Sequence, residues 1–93
     1  MRVIWSVVAE RDLNAIVEYI AQDNIHAALD MDELLRNSAA GLGIFPNQGR
    51  AGRIPGTREL LVRKQYILVY RVVDDAVEIV TALHTSRQWP LLD

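Results

Sequence analysis

The 93-residue sequence predicts a single α+β domain spanning residues 1–93, in which a helix hairpin packs on a small sheet. The block from Tyr66 to Val73 is apolar, rich in β-branched residues and too short for a buried helix, which predicts a central strand. A second apolar run from Val77 to Leu83 follows the acidic turn Asp74-Asp75, as in a β-hairpin. Two stretches of helical periodicity precede these strands.

The first strand and the first helix are expected at the N-terminus. Residues from Arg2 to Ser6 alternate between polar and apolar, which predicts a strand. Ser6 is a favoured N-cap residue, and the helix after it is expected to fade near Gln22. The apolar face of this helix is predicted at helical spacing, at Ala9, Leu13, Ile16, Val17 and Ile20.

The second helix is predicted from about Ile25 to Leu42, after a break and a new cap at Asp23-Asn24. Gly41 and Gly43 are expected to end it. Its apolar face is predicted at Ala28, Met31, Leu34 or Leu35, Ser38 and Leu42. Two amphipathic helices joined this closely predict an antiparallel hairpin that must bury its apolar face against a sheet.

The remaining segments complete the predicted fold. The glycine- and proline-rich stretch from Gly43 to Gly56 predicts a surface loop. A strand from Glu59 to Arg63 then forms a three-strand antiparallel meander with the two strands already described. His84 ends the last strand, where both a structural role and an acid–base role are open. Trp89-Pro90 is expected to dock the C-terminus on the sheet or on the hairpin.

Composition and charge narrow the classes of function. The absence of cysteine excludes disulfides and thiolate metal sites and fits the cytoplasm. No signal peptide or membrane span is recognisable, no nucleotide-binding glycine motif occurs, and neither a cofactor nor a metal is expected. Residues 1–45 hold three basic against seven acidic side chains, and residues 46–93 hold seven basic against five acidic. The basic sheet half is therefore expected to face an anionic partner, although ordinary solvation explains the same charges.

The order of elements and several motifs resemble the RelE/ParE superfamily of bacterial type II toxins. The similar segments cover nearly the whole chain: Trp5 before the first helix, Leu42…Phe45-Pro46…Gly49-Arg50, Thr57-Arg58-Glu59-Leu60, Tyr66 to Val72 and Leu83-His84…Arg87. Proteins of this superfamily are small toxins encoded beside an antitoxin, whose helices and extended tail wrap the toxin. The resemblance implies a toxin–antitoxin hetero-oligomer with a ParD-like or other small helical antitoxin.

The superfamily contains two chemistries, and one of them is enzymatic. RelE-like members cut mRNA in the ribosomal A site, which requires a base, an acid and cations around the phosphate. On this alternative, the catalytic residues would be Arg58, Arg63 and His84. In the YoeB-like pattern an arginine stands where this chain has Ile67, and the closing histidine–tyrosine pair falls one position after His84. The RelE lysine cluster is also unmatched.

ParE-like members inhibit DNA gyrase without cutting RNA and leave its cleaved DNA complex unresolved. Their Tyr-Arg-Val strand, acidic turn pair and Leu-His-x-x-Arg ending are similar to residues 70–87 of this chain. The resemblance therefore favours a gyrase inhibitor over a ribosome-dependent endoribonuclease. A third hypothesis is a protein with the toxin fold whose only property is partner binding.

Two groups of residues are predicted to make intermolecular contacts. Contacts with phosphate or with the target are assigned to Arg50, Arg53, Arg58, Arg63 and Arg87. Contacts with the antitoxin, through an apolar groove and a basic strip, are assigned to Leu13, Val17, Ile20, Arg63, Tyr70, Arg71 and Trp89. Placement of His84, Arg63 and Arg50 around one exposed pocket would favour the nuclease.

Overall fold

The computed structural model describes residues 1–90, which form two helices and a five-stranded sheet. The elements are β1 (Arg2–Trp5), α1 (Val7–Ala21), α2 (Ile25–Gly41), β2 (Arg50–Ala51), β3 (Arg58–Val62), β4 (Tyr66–Val73) and β5 (Ala76–His84). The strand order is β1-β5-β4-β3-β2, with β1 parallel to β5 and the other pairs antiparallel. The predicted α+β class, the helix hairpin and the β3–β4–β5 meander are confirmed.

Both helices begin at the capping residues that the sequence predicts. The Ser6 Oγ accepts a hydrogen bond from the Ala9 N–H at 3.0 Å, and the Asn24 side chain accepts one from the Ala27 N–H at 3.0 Å. Each cap satisfies a backbone donor that the helix itself leaves unpaired. Ser6 also donates to the Val80 carbonyl at 3.0 Å, so the cap joins the start of α1 to β5.

The two faces of the sheet carry separate apolar clusters. The helix-facing cluster is the main core, in which Leu13, Leu35 and Leu68 are fully buried. The opposite face carries a smaller cluster of Ile67, Val69 and Leu83, against which Val80 and Trp89 pack. The C-terminal tryptophan therefore docks on the sheet, which was one of the two predicted positions.

The loop after α2 contains an element that the sequence analysis missed. The structure has β2 within the predicted surface loop, pairing Arg50 with Glu59 at the edge of the sheet. The Tyr70 hydroxyl holds this loop against the sheet, since it donates to the Pro46 carbonyl at 2.7 Å and accepts from the Gly49 N–H at 2.9 Å. A Cβ at position 49 would lie 2.8 Å from that hydroxyl, so glycine is required for this close approach.

A β-bulge interrupts the pairing of β4 with β5 between Val69 and Tyr70. Asp12 of α1 reaches this irregular part of the sheet, where its carboxylate accepts from the Thr81 hydroxyl and, at 3.4 Å, from the Ala82 N–H. Asp12 of α1 thus provides a hydrogen-bond acceptor for groups of β5 that are not paired with a neighbouring strand here. Among residues 1–90, no helix has the length and apolar character needed to cross a membrane.

Candidate functional site

A cavity of about 460 Å³ lies between the second half of α1 and the adjoining ends of β4 and β5. Its apolar walls come from Ile16, Ile20 and Leu83, and its polar groups include His84 and Arg87. Tyr19, with 74% of its surface exposed, also lines it. A cavity of this size and lining is suited to apolar groups, and its polar edge carries both a cation, Arg87, and a carboxylate, Asp12.

His84 is exposed, and its Nδ1 is hydrogen-bonded to Ser86. The Ser86 N–H donates to Nδ1 at 3.0 Å, and the Ser86 hydroxyl lies 2.7 Å from the same nitrogen. Because a backbone N–H only donates, Nδ1 is the acceptor of this hydrogen bond. Nε2 is therefore the ring nitrogen that His84 presents to a ligand.

The residues assigned to the nuclease alternative do not share one pocket. His84 stands opposite Tyr66 of β4, whereas Arg58 stands opposite Tyr70, four residues further along that strand. This offset corresponds to about 13 Å along the strand, in addition to about 10 Å across two strand spacings. Arg63 lines another cavity, of about 420 Å³, between α2 and β3. The arrangement that would favour a nuclease is therefore not the one observed.

Arg50 and Arg53 surround a buried carboxylate. Glu59 is only 2% exposed, and it accepts hydrogen bonds from the Arg53 guanidinium at 3.0 and 3.1 Å, from the Arg53 backbone N–H at 3.0 Å and from Arg50 at 3.2 Å. The hydrogen bonds from the Arg53 side chain are the main reason that the pKa of Glu59 falls from 4.5 to about 2. The remaining Arg53 nitrogen, Nη1, donates to the Trp89 carbonyl at 3.0 Å.

This network gives Arg53 a structural role, while its assignment to phosphate contact stays a prediction. A buried carboxylate requires paired donors, and Arg53 uses all three guanidinium nitrogens to serve Glu59 and Trp89. Arg58 is also engaged, because its Nη1 donates to the Gly49 carbonyl at 2.9 Å and supports the loop before β2. Arg50 contributes a single nitrogen to Glu59.

The residues assigned to antitoxin contact divide between core and surface. Leu13 and Tyr70 are fully buried, so their assignment to a binding surface is wrong for the free chain. Periodicity identified the apolar faces of α1 and β4, on which these residues lie. It did not distinguish the fully buried positions of each face from the partly exposed positions at its edge. Arg71 is exposed and paired with Glu78 at 2.7 Å. The others, which are partly buried or exposed, are Val17, Ile20, Arg63 and Trp89.

The turn between β3 and β4 has a conformation that no sequence pattern indicated. Arg63 and Lys64 have φ values of 53° and 64°, and the Gln65 N–H donates to the Val62 carbonyl at 3.2 Å. These features define a type I′ turn, which strongly prefers Asn-Gly in place of long side chains. The left-handed conformation costs about 1 kcal/mol for each such residue.

A helix hairpin packed on one face of a mixed five-stranded sheet is the fold of the RelE/ParE type II toxins. A chain described as "Chromosomal ParDE TA system from P. aeruginosa" superposes with a TM-score of 0.80 at 23% identity, covering 90% of this chain and 95% of that one. The solution structure of HP0894 from Helicobacter pylori gives a TM-score of 0.59 at 16% identity, covering 92% and 96%.

The sequence specifies the family within this class. Residues 3–89 match the ParE toxin family, described as the ParE toxin of the type II toxin–antitoxin system parDE, and the chain belongs to that family. "Putative toxin Y4kP" of Sinorhizobium fredii is 39% identical over 90 residues, covering 96% of this chain and 93% of that protein. "Toxin RelE2" of Caulobacter vibrioides is 37% identical over 86 residues, covering 92% and 97%.

Proposed function

We propose that this toxin is a non-enzymatic inhibitor of DNA gyrase, acting in the cytoplasm and neutralised by a cognate antitoxin. The observation that carries the proposal is the separation of the groups a ribonuclease would need. Phosphodiester cleavage requires an acid, a base and a cation within reach of one phosphate. Arg58 and His84 are offset along the sheet, and Arg63 lines a different cavity from His84.

The state of His84 supports the same proposal. Its Nδ1 accepts a hydrogen bond from the Ser86 N–H, so this nitrogen is not available to activate the 2′-hydroxyl of RNA. Membership of the ParE family is in accord with an activity that requires no general base. The protein would act by binding its target.

The test is a pair of assays on the purified toxin. One measures supercoiling of relaxed plasmid by gyrase, and the other measures cleavage of mRNA on programmed ribosomes. We expect loss of supercoiling with accumulation of cleaved DNA, and intact mRNA. Cleaved mRNA with normal supercoiling would overturn the proposal, and a protein inactive in both assays would point to partner binding alone. Antitoxin added in equimolar amount is the control that the activity belongs to the toxin.

A RelE-like, ribosome-dependent endoribonuclease is the second candidate. His84 and Arg87 line the same cavity, which places a titratable ring near a cation that suits phosphate. Two relatives from Caulobacter vibrioides are named Toxin RelE2 and Toxin RelE1. On this candidate, binding of RNA would have to turn the imidazole away from Ser86 before it acts.

The antitoxin is proposed to occupy the cavity along α1. An exposed tyrosine, Tyr19, stands beside the apolar walls formed by Ile16, Ile20 and Leu83, and such a surface suits the apolar face of an amphipathic helix. His84 and Arg87 at its polar edge would receive acidic side chains of that helix. Val17 and Trp89 do not line this cavity and remain proposed contacts only.

A further inference from the structure

The β3–β4 turn presents two cations in a conformation that their side chains disfavour. Arg63 and Lys64 are both exposed and both left-handed, at the two central positions of the type I′ turn. Within residues 1–90, neither side chain forms an ion pair. Asn-Gly would close the same turn with less strain. Strain without a compensating ion pair in the described part of the fold points to a role of arginine and lysine outside it.

The surroundings of the turn are poor in negative charge. No acidic residue occurs between Glu59 and Asp74 or between Glu78 and Asp93, the segments that meet at this end of the sheet. The Thr85 N–H donates to the Gln65 carbonyl at 2.8 Å, which holds the chain after β5 against the turn. That segment adds Arg87 and exposed hydroxyl groups.

Helix α1 brings an acidic residue, Asp12, towards this end of the sheet. Asp12 lines the neighbouring cavity, but its carboxylate is hydrogen-bonded to Thr81 and to the Ala82 N–H. The β3–β4 turn and residues 85–90 therefore carry basic side chains and no acidic side chain, although the whole chain has a net charge of −2. The acidic side chains concentrate in residues 1–45, so the chain carries its charge asymmetrically.

We propose that Arg63 and Lys64 bind the phosphodiester backbone of DNA. The inference rests on the proposed inhibition of gyrase, in which the toxin meets gyrase while DNA is bound. Arginine, lysine, hydroxyl groups and backbone N–H groups are the donors that contact phosphate oxygens in protein–DNA complexes. A tight turn fixes the backbone from which two adjacent cationic side chains extend, and duplex DNA offers closely spaced phosphates to both.

The test measures binding of the purified toxin to a short fluorescein-labelled DNA duplex by anisotropy, from about 50 to about 200 mM salt. Wild-type toxin is expected to bind with an affinity that falls as salt rises. The variant Arg63→Gln/Lys64→Gln keeps side chains at both left-handed positions and removes both charges. It should bind more weakly, and the slope of log K against log salt should fall by about 2. The single variant Arg63→Lys keeps both charges and should retain most of the wild-type slope of log K against log salt.

Two further variants separate charge from turn geometry. Arg63→Asn/Lys64→Gly creates a favourable type I′ turn, so its melting temperature should rise by several degrees while DNA binding weakens as much as in Arg63→Gln/Lys64→Gln. Asp74 is also left-handed, with φ of 55°, but it lies in the β4–β5 turn. Asp74→Gly should raise the melting temperature and leave DNA binding undiminished. This control shows whether relief of backbone strain alone weakens binding.

The outcomes distinguish this inference from the proposed function. The inference is overturned if wild-type toxin does not bind the duplex, or if Arg63→Gln/Lys64→Gln binds it as wild type does. It is also overturned if that variant keeps its affinity for the duplex and loses affinity only for the antitoxin. If the toxin binds DNA through the turn but does not inhibit supercoiling, the DNA contact stands and the gyrase proposal fails.

Discussion

Arg53 joins the buried carboxylate of Glu59 to the C-terminal segment of the chain. Its Nε and Nη2 donate to Glu59, and its Nη1 donates to the Trp89 carbonyl, 36 residues further along. The guanidinium thereby connects β3 with the residue that packs on the second apolar cluster, formed by Ile67, Val69 and Leu83. This is a structural use of an arginine that the sequence suggested for phosphate contact.

Replacement of Glu59 by glutamine should destabilise the fold by about 3 kcal/mol, since it leaves the Arg53 guanidinium without its buried anionic partner. Urea denaturation at neutral pH measures this loss. Glu78→Gln is the matched control, because the Glu78–Arg71 pair is exposed and should contribute less than about 1 kcal/mol. Equal effects of the two substitutions would contradict a special role for the buried pair.

The stabilisation from Glu59 should also depend on pH. The folded pKa is about 2 and the usual value is 4.5, so the carboxylate stabilises the folded state above pH 4.5. This contribution is lost as the pH falls through that interval towards 2. The difference in unfolding free energy between wild type and Glu59→Gln should therefore shrink on acidification. A difference that stays constant from neutral pH to about pH 3 would show that Glu59 is not the titrating group.

Tyr70→Phe should cost about 2 kcal/mol, because it removes the hydroxyl that pairs with the Pro46 carbonyl and the Gly49 N–H. Hydrogen exchange should accelerate most at Gly49, whose N–H loses its acceptor. Tyr19→Phe removes a hydroxyl from an exposed tyrosine and should leave stability nearly unchanged. Normal protection of Gly49 in Tyr70→Phe would show that β2 does not depend on this hydroxyl.

Asp12→Ala should destabilise the fold by about 1–3 kcal/mol, since the Thr81 hydroxyl and the Ala82 N–H at the bulge lose their acceptor. Thermal and urea unfolding both measure the change. Asp12→Asn keeps one side-chain oxygen and should retain part of the stability. If Asp12→Asn is as unstable as Asp12→Ala, the negative charge, and not the acceptor, is what the bulge requires.

Tyr19→Ala should weaken the complex with the antitoxin about tenfold, because an exposed aromatic residue beside an apolar cavity is a typical interface anchor. Leu29→Ala is the matched control, since Leu29 is 59% exposed on α2 and does not line this cavity. Isothermal titration calorimetry on the purified partners compares the two. A larger loss for Leu29→Ala would move the antitoxin to the outer face of the hairpin.

Local signals in the sequence were sufficient for much of the fold. The caps at Ser6 and Asn24 begin the two helices as predicted, and β4 has the predicted bounds, Tyr66–Val73. The strand β3 begins and ends one residue earlier than predicted, at Arg58–Val62. Capping and periodicity act over a few residues, so they are visible without knowledge of the tertiary structure.

The candidate site was less predictable, because its properties depend on contacts between distant residues. The sequence marked Arg53 and Arg63 as equivalent basic residues, but a buried acid uses the first and the second remains exposed. Leu13 and Ile20 belong to the same predicted helix face, yet only Ile20 reaches the cavity. Burial is decided by the packing of neighbouring elements, which helical spacing alone does not specify.

The sequence by itself determined the α+β class, the two helices, the meander and the resemblance to the RelE/ParE toxins, since these follow from local patterns in chain order. The tertiary structure decided the parallel addition of β1 beside β5, the pairing of β2 and the division of the arginines between internal and exposed roles. Those features arise from hydrogen bonds and burial between segments far apart in the chain, and such contacts exist only once the sheet has assembled.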